Sequence, residues 1–212
     1  KYANIGRYPS GINNPVHTVK YYVRNPQKTQ QLLGAFFAEY ELVQGLKLRS
    51  TINLSFGNSF NISSGRKAPP EINIIGQYRS LSNYTEVWNK TNQWNWINTI
   101  SYDKNIGQHN FNIIGGIDAL ENNYRFANIT TSNVPDLQQV INASDNKSRV
   151  VTGYPTDFAL LSYFGRISYD YEGKYLLSAS IRRDGSSKFG PNNKYGVFPS
   201  ASVGWRISEE QF

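Results

Sequence analysis

The stretch "KYLLSASIRRDGSSKFGPNNKYGVFPSASVGWRIS", residues 174–208, decides the fold class. Both of its ends alternate between apolar and small or polar residues, and this period of two predicts strands at 174–184 and 197–208. The Gly-rich centre carries Lys188 and Lys194, which would also suit a phosphate-binding loop. That kind of loop needs a helix N-terminus behind it, whereas a strand follows here. We therefore interpret the centre as a loop between two strands.

The same alternation predicts five more strands towards the N-terminus. Short turns and long polar connections alternate between the seven strands, which places all short turns on one side of an up-and-down sheet. Bacterial outer-membrane barrels have this asymmetry, with short periplasmic turns and long external loops. The segment "VPDLQQVINAS" at 134–144 carries a short apolar stripe and predicts a brief helix inside one long connection. The five strands lie at 30–43, 46–57, 92–105, 109–125 and 158–171, and the long connections at 58–91, 126–157 and 185–196.

The turn sequences predict which residues face each other across paired strands. Because the apolar residues of both strands must share a face, the sum of the numbers of two paired residues is fixed as even or odd for each turn, which we call its parity. This parity gives a three-residue loop over 44–46, a three-residue "EGK" turn and a four-residue loop around "NIGQ". The resulting pairs are Glu41 with Arg49, Tyr171 with Tyr175, Tyr102 with Phe111, and Ile100 with Ile113.

The alternation also divides the side chains into two sets. We expect one set to meet membrane lipid and the other to line a wet lumen, where charged side chains persist. Aromatic residues near the strand ends, such as Trp94 and Trp205, fit the interfacial girdles of membrane barrels, although aromatic residues are also ordinary strand formers. The lipid-facing set is Phe36, Tyr40, Leu48, Ile52, Ile113, Ile117, Leu177, Ile181, Val203 and Trp205, and the lumen-facing set is Glu39, Glu41, Arg49, Arg166, Ser180, Arg182 and Arg206.

The composition argues against several classes of function. The formal charge of +7 comes from scattered basic residues, which argues against a nucleic-acid partner. The chain has no cysteine and two histidines, so it has no disulfides or thiolate metal sites, and a zinc site is not expected. No catalytic motif is found, and Asp103 and Asp118 lack a partner that would give two carboxylates different roles. We therefore expect no enzyme activity and no cofactor.

Residues 161–212 carry a resemblance to a known family. The stretch combines an S-Y-F-G-R strand, a Y-E-G-K-Y turn, an R-x-D-G-S-S-x-F-G loop and an F-P-S-x-S-x-G-W-R-I-S-E-E strand. This pattern resembles the barrel signature of SusC/RagA-type TonB-dependent transporters of the Bacteroidetes outer membrane. Weaker similarity extends upstream through "GLKLRS" at 45–50 and "NWINTISYDKNIGQHNFNIIGG" at 95–116.

The resemblance implies a multi-pass antiparallel barrel in the cell outer membrane, with about 22 strands and a plugged lumen. It also implies TonB-coupled import of oligosaccharides or peptides, with a SusD-like surface lipoprotein as lid. Residues 1–212 would all be part of the barrel domain, with the plug and TonB box outside this segment. We expect the segment not to close a barrel of its own, because seven strands are too few and bacterial single-chain barrels have even counts.

Aromatic residues in the long connections are candidates for substrate contact, since their rings could stack on sugars or lie against peptide backbone. The alternative class of protein is a soluble β-sandwich that binds carbohydrate, and extraction only with detergent would exclude it. The candidates are Tyr78, Tyr84, Trp88, Tyr124 and Tyr154.

Overall fold

The chain forms a single seven-stranded sheet. The computed structural model describes residues 26–65, 82–135, 140–144 and 146–210. Each strand is hydrogen-bonded to the next one along the chain, in the order β1 to β7, so that β1 and β7 stand at opposite ends of the order among the described strands. The strands are β1 (Gln27–Val43), β2 (Leu46–Gly65), β3 (Asn83–Ile106), β4 (His109–Ser132), β5 (Val150–Tyr171), β6 (Tyr175–Ser186) and β7 (Tyr195–Trp205).

The seven predicted strands and the up-and-down topology are confirmed, but β2 to β5 are longer than the sequence indicated. Much of the two connections expected at 58–91 and 126–157 belongs to strands: β2 runs to Gly65, and β5 begins at Val150. These strand ends carry Gly and Pro residues, such as Gly65, Gly153 and Pro155. Such residues are typical of turns and loops, so the sequence indicated connections there.

The helical content is small. Two 3₁₀ turns, Ile141–Ala143 and Asn146–Ser148, lie between β4 and β5, and a third, Ile207–Glu209, follows β7. The brief helix expected over 134–144 is thus reduced to one 3₁₀ turn in its described part, while residues 136–139 lie outside the described residues. Within the part of the chain that the structure describes, no helix is long and apolar enough to cross a membrane.

The turn between β1 and β2 is shorter than the predicted loop over 44–46, because only Gln44 and Gly45 separate the two strands. Arg49 Nη1 contacts Glu39 Oε2 at 3.2 Å. Glu41 accepts a hydrogen bond from the backbone N–H of Gly45 at 2.8 Å. The pairing of Glu41 with Arg49 stays a prediction.

The turn between β3 and β4 is shorter than predicted. Gly107 and Gln108 alone separate the two strands, and Gly107 has a φ of 58°, which suits the first central position of a two-residue hairpin turn. Asn112 Nδ2 donates to Asp103 Oδ1 at 2.6 Å, in line with this tight turn. The four-residue loop was therefore wrong, and with it the pairs Tyr102 with Phe111 and Ile100 with Ile113. On its other side, towards β5, the Phe111 ring packs on Tyr169 at 5.0 Å.

The turn between β5 and β6 is the one the sequence predicted. Tyr171 is the register partner of Tyr175, and three residues connect them. Glu172 and Gly173 both have positive φ values, of 51° and 69°. The Lys174 amide donates back to the Tyr171 carbonyl at 2.9 Å, which closes the turn.

The register of β6 and β7 separates most apolar side chains from most polar ones. Leu177 is opposite Val203, and Ser178 is opposite Ser202. Because successive side chains point to opposite faces, one face of this pair is mainly apolar and the other mainly polar. The exceptions are Arg183 on the apolar face and Leu176 and Phe198 on the polar face. All ten residues of the predicted lipid-facing set are exposed in the structure: Phe36, Tyr40, Leu48, Ile52, Ile113, Ile117, Leu177, Ile181, Val203 and Trp205.

The contacts divide the chain into two compact units. The first unit comprises 1–31, 57–90 and 124–155, and within its described part a hydroxyl-rich cluster is buried. There Thr131 is fully buried and its Oγ1 contacts the hydroxyls of Ser144 and Ser148, while Ser82 bonds to the Val134 carbonyl. The second unit comprises 32–56, 91–123 and 156–212, and almost all of its described residues are exposed or half-buried.

Candidate functional site

A row of hydrogen-bonded polar side chains crosses the strands of the second unit. Asn53 on β2 donates to Asn95 on β3, with an Nδ2–Oδ1 distance of 3.2 Å. Asn95 in turn donates to Asp118 on β4, with an Nδ2–Oδ1 distance of 2.5 Å. We call the row formed by Asn53, Asn95, Asp118, Arg182 and Asp184 the polar ladder.

Arg182 on β6 closes the polar ladder by holding two carboxylates. Its Nη2 lies 3.2 Å from Asp118 Oδ2, and its Nε lies 2.6 Å from Asp184 Oδ1. Ser162 on β5 is the register partner of Asp184 and is 3% exposed. The planar guanidinium presents several N–H donors in a fixed fork, so one side chain can orient both acids.

The chemistry of the polar ladder is that of a hydrogen-bonding surface. Its two carboxylates are both bound to the same arginine, and neither stands next to a histidine or lysine in the contacts described above. Among the described residues no group of three or more His, Asp or Glu side chains could hold a metal ion. The arrangement favours contact with polar groups of a ligand or of another protein segment.

Two of the predicted substrate-contact residues form an aromatic cluster in the first unit. The ring of Tyr154 on β5 lies 5.0 Å from Phe126 and 6.5 Å from Tyr124 on β4. The Tyr124 hydroxyl donates to Asn89 Oδ1 at 2.7 Å, which fixes the ring. Tyr154 is about half exposed. We call Tyr124, Phe126 and Tyr154 the tyrosine cluster.

Two other candidates lie on the opposite face of the sheet. Trp88 directly precedes Asn89 on β3, so the two side chains point to different faces. The Trp88 ring packs against Phe60 of β2 at 4.1 Å, and its Nε1 donates to Glu86 Oε2 at 3.3 Å. Tyr84 donates to the other oxygen of Glu86 and is only 4% exposed, so its ring offers little surface to a ligand. Tyr78 lies outside the described residues.

The predicted lumen-facing residues have varied partners. Arg49 contacts Glu39 and lies over the Phe37 ring at 4.3 Å. Arg166 is the register partner of Ser180. Arg206 directly follows β7, and its amide donates to the Lys174 carbonyl at 2.8 Å. The structure brings Arg182 alone of this set into the polar ladder.

The sequence-based reasoning missed Asn53, Asn95 and Asp118. Asp118 was considered only as a catalytic carboxylate and was set aside. A signal was present in "NKTNQWNW" at 89–96, where Asn89, Gln93 and Asn95 recur at even spacing. Amide side chains on one face of a strand are depleted in ordinary sheets, and their repetition indicates a solvated face that binds polar groups.

Comparisons with known proteins agree on one family. No protein-family model matches the chain. The TonB-dependent receptor P3 of Formosa agariphila is 31% identical over 192 residues, which is 88% of this chain and 18% of that relative. The TonB-dependent receptor SusC of Bacteroides thetaiotaomicron is 47% identical over 68 residues, which is 32% of this chain and 7% of SusC.

The fold is also that of a solved transporter. The structure of the RagAB peptide transporter superimposes with a TM-score of 0.81 at 20% identity, over 96% of this chain and 23% of that one. The chain spans 18–19% of the length of the three long curated matches. It therefore corresponds to about a fifth of a whole receptor of this kind.

The single up-and-down sheet superimposes on part of a solved transporter, which shows the fold. Together with the TonB-dependent receptors among the sequence relatives, this fold defines the class of protein: the chain is part of an outer-membrane β-barrel. The sequence relatives then specify which barrel. The chain is a barrel segment of the SusC/RagA type of TonB-dependent outer-membrane receptor.

Proposed function

We propose that the chain forms part of the wall of a nutrient importer that takes up oligosaccharides or peptides across the outer membrane. A SusD-like surface lipoprotein would cover the barrel, and TonB would supply energy through a part of the receptor outside this segment. The observation that carries the proposal is the 31% identity to a TonB-dependent receptor over 88% of the chain. In this role the segment binds and conducts substrate and catalyses no reaction.

The rival class, a soluble carbohydrate-binding β-sandwich, does not fit the structure. A sandwich buries an apolar core between two packed sheets. Here the described strands form one sheet, and the only buried hydrophobic residues among those described are Tyr84 and Val134. The remaining large hydrophobic side chains need a different apolar surrounding, and a lipid bilayer supplies one.

Within this importer, the tyrosine cluster is the best candidate for substrate contact. Tyr154 offers an exposed ring beside Phe126, and Tyr124 is held in place by Asn89. Tyrosine combines a flat apolar surface with a hydroxyl, so it suits both sugar rings and peptide groups. The face of β3 that carries Asn89 also carries Asn95, since the two residues are six positions apart. We propose that this face lines the lumen.

The test of the importer function uses the full-length receptor in its host. Deleting the receptor should abolish growth on one class of oligosaccharides or peptides, and complementation should restore it. A protonophore should stop accumulation of the same substrate, because TonB coupling draws on the inner-membrane proton gradient. Uptake that is unchanged by the deletion for every glycan and peptide tried would contradict the proposal.

The test of substrate contact compares two tyrosines of β5. We expect Tyr154→Ala to weaken substrate binding by about 3- to 10-fold, the equivalent of a lost aromatic contact. Tyr163→Ala is the matched control, because the nine-residue spacing places Tyr163 on the opposite face of the same strand. Isothermal titration with the substrate found by the growth test gives both values. Equal binding by wild type and Y154A would exclude the tyrosine cluster as the contact.

A further inference from the structure

A basic groove lies beside the Phe60–Trp88 aromatic pair in the first unit. The groove encloses about 440 Å³, and its lining includes three basic residues and no acidic one among the described residues. Lys28 of β1 and Lys90 of β3 have no ion pair with any described residue. Trp88 is about half exposed beside them. The groove therefore combines unneutralised positive charge with an exposed aromatic surface.

The position of the groove along the strands indicates which solvent it meets. Lys28 and Gln30 lie on one face of β1. The same face continues with the exposed residues Leu32 and Phe36. On β2, Asn58 and Phe60 continue the face of Phe56 in the same way. The apolar part of this face is the one expected to meet lipid, and the groove begins where that part ends.

Basic and aromatic side chains at the edge of an apolar band suit the headgroup layer of a membrane. Aromatic rings are enriched there, and lysines extend their ammonium groups to lipid phosphates. Glu86 accepts hydrogen bonds from both Trp88 and Tyr84 and keeps its negative charge, but it is not part of the groove lining. The charged side chains that line the groove are all basic.

We propose that this groove binds the phosphate of a phosphorylated glycolipid in the outer leaflet. Lys28 and Lys90 contact the phosphate, and Trp88 packs against the sugar or the upper part of an acyl chain. Neither the family relationship nor the importer function assigns a lipid site to these residues. The inference depends on the outer-membrane location of the segment and is independent of the nutrient that the importer takes up.

The test measures lipid binding to the full-length receptor in detergent by native mass spectrometry. Phosphorylated lipid A and its dephosphorylated form are added separately, and inorganic phosphate serves as a soluble competitor. We expect Lys28→Gln/Lys90→Gln to weaken binding of the phosphorylated lipid by about 25-fold, which is about 1 kcal/mol for each lysine near a lipid surface. The dephosphorylated lipid should bind the wild type and this variant equally.

The matched control is Lys47→Gln/Lys104→Gln, which makes the same charge change near the opposite ends of β2 and β3. Lys104 lies on the same face of β3 as Lys90, fourteen residues away. This control should bind phosphorylated lipid A like the wild type. Three outcomes would each overturn the proposal. They are an equal loss of lipid binding in both double variants, equal binding of the two lipids by the wild type, and displacement of the bound lipid by millimolar phosphate alone. Nutrient uptake by K28Q/K90Q should stay normal, so this outcome is separate from that of the importer test.

Discussion

Arg182 shows at the scale of one residue why charge can persist on this sheet. Its guanidinium bridges Asp118 and Asp184, two acids on β4 and β6 that would otherwise repel each other. The side chain is 43% exposed, so the ion pairs gain little from burial and much from geometry. Asn95 extends the row by donating to Asp118. The polar ladder is thus a hydrogen-bonded network whose members depend on one arginine.

We predict that Arg182→Gln destabilises the folded barrel by about 1–2 kcal/mol, because two carboxylates lose their shared partner while keeping their desolvation cost. Replacing both acids as well, with Asp118→Asn and Asp184→Asn, should recover most of the loss. Urea unfolding of the receptor in detergent, followed by gel mobility of the folded form, measures both changes.

The control for this cycle is Arg166→Gln. Arg166 is an arginine of β5 that has no ion pair with a described residue, so its replacement should change stability by less than about 0.5 kcal/mol. If R182Q and R166Q unfold at the same urea concentration, Arg182 has no special role in the polar ladder.

Glu210 is a second residue whose contacts predict a measurable behaviour. Its Oε1 accepts from the Tyr175 hydroxyl at 2.7 Å and from the Trp205 Nε1 at 3.1 Å. These hydrogen bonds, with that from Tyr175 first, hold the pKa of Glu210 below its usual range. Since the folded pKa is depressed, the contact is present above the unfolded pKa of about 4.3 and is lost as pH falls through the lower folded value.

We therefore expect the emission of Trp205 to change as the pH falls through the folded pKa of Glu210, which lies below the usual value of about 4.3. The difference in fluorescence between wild type and Trp205→Phe isolates that emission from the other tryptophans. Glu210→Gln should abolish the transition, because the amide does not titrate. A transition of the same midpoint and size in E210Q would show that another group is responsible.

At the scale of strands and turns, the sequence predicted the features that a two-residue period determines, namely the positions of the strands and the face of each residue. Alternation fixes which face a residue occupies, and it located all seven strands. It cannot fix a register to better than two residues, which is why four residues were expected in the turn between β3 and β4, where the structure has two. In the tyrosine cluster, Tyr124 and Tyr154 were identified by residue type. The amides of the polar ladder were missed, because their contacts depend on pairing between distant strands.

The glycines of two short turns allow a matched prediction. Gly45 and Gly107 have φ values of 84° and 58°, so alanine is strained at both. They differ in their surroundings: a Cβ on Gly45 would collide with the Asp103 carbonyl oxygen, whereas a Cβ on Gly107 would meet nothing within 4 Å. The Asp103 amide also donates to the Gly45 carbonyl at 2.8 Å.

We expect Gly107→Ala to lower the free energy of unfolding by about 1–2 kcal/mol, which is the cost of the left-handed conformation alone. Gly45→Ala should cost at least about 2 kcal/mol more, since the turn must also move away from Asp103. Gly107→Asn should be tolerated better than G107A, because asparagine adopts positive φ more readily. Urea midpoints of the three variants rank the costs. A smaller loss for G45A than for G107A would contradict the crowding at Gly45.

At the scale of the whole molecule, the sheet lacks what a water-soluble sheet needs. Val203 is 84% exposed and Phe36 is 64% exposed, while the opposite face carries the polar ladder and the serines of β6 and β7, together with exposed rings such as Phe37 and Phe198. Burying such apolar side chains in hydrocarbon is favourable, and the strands satisfy their backbone groups by pairing with neighbours. We therefore expect the apolar face to meet lipid and the polar face to meet water.

This two-solvent arrangement predicts an alternating pattern of thiol reactivity along β6. The chain contains no cysteine, so each introduced thiol is the sole one in the segment. In intact outer membranes, cysteines at Leu177 and Ile181 should react with a water-soluble maleimide about tenfold or more slowly than cysteines at Ser178 and Ser180, because hydrocarbon excludes the charged reagent. Mass spectrometry of the labelled receptor gives the rates.

Two controls make this alternation decisive. In denaturant all four thiols should react at similar rates, which excludes differences in intrinsic reactivity. Blocking the lumen with a bound substrate should slow labelling at Ser178 and Ser180 and leave the two apolar positions unchanged. Since Leu177 pairs with Val203 and Ser178 with Ser202, the same contrast should recur between residues 203 and 202 on β7. Equal reactivity at neighbouring positions of both strands would mean that water bathes both faces, and the sheet would not be a membrane wall.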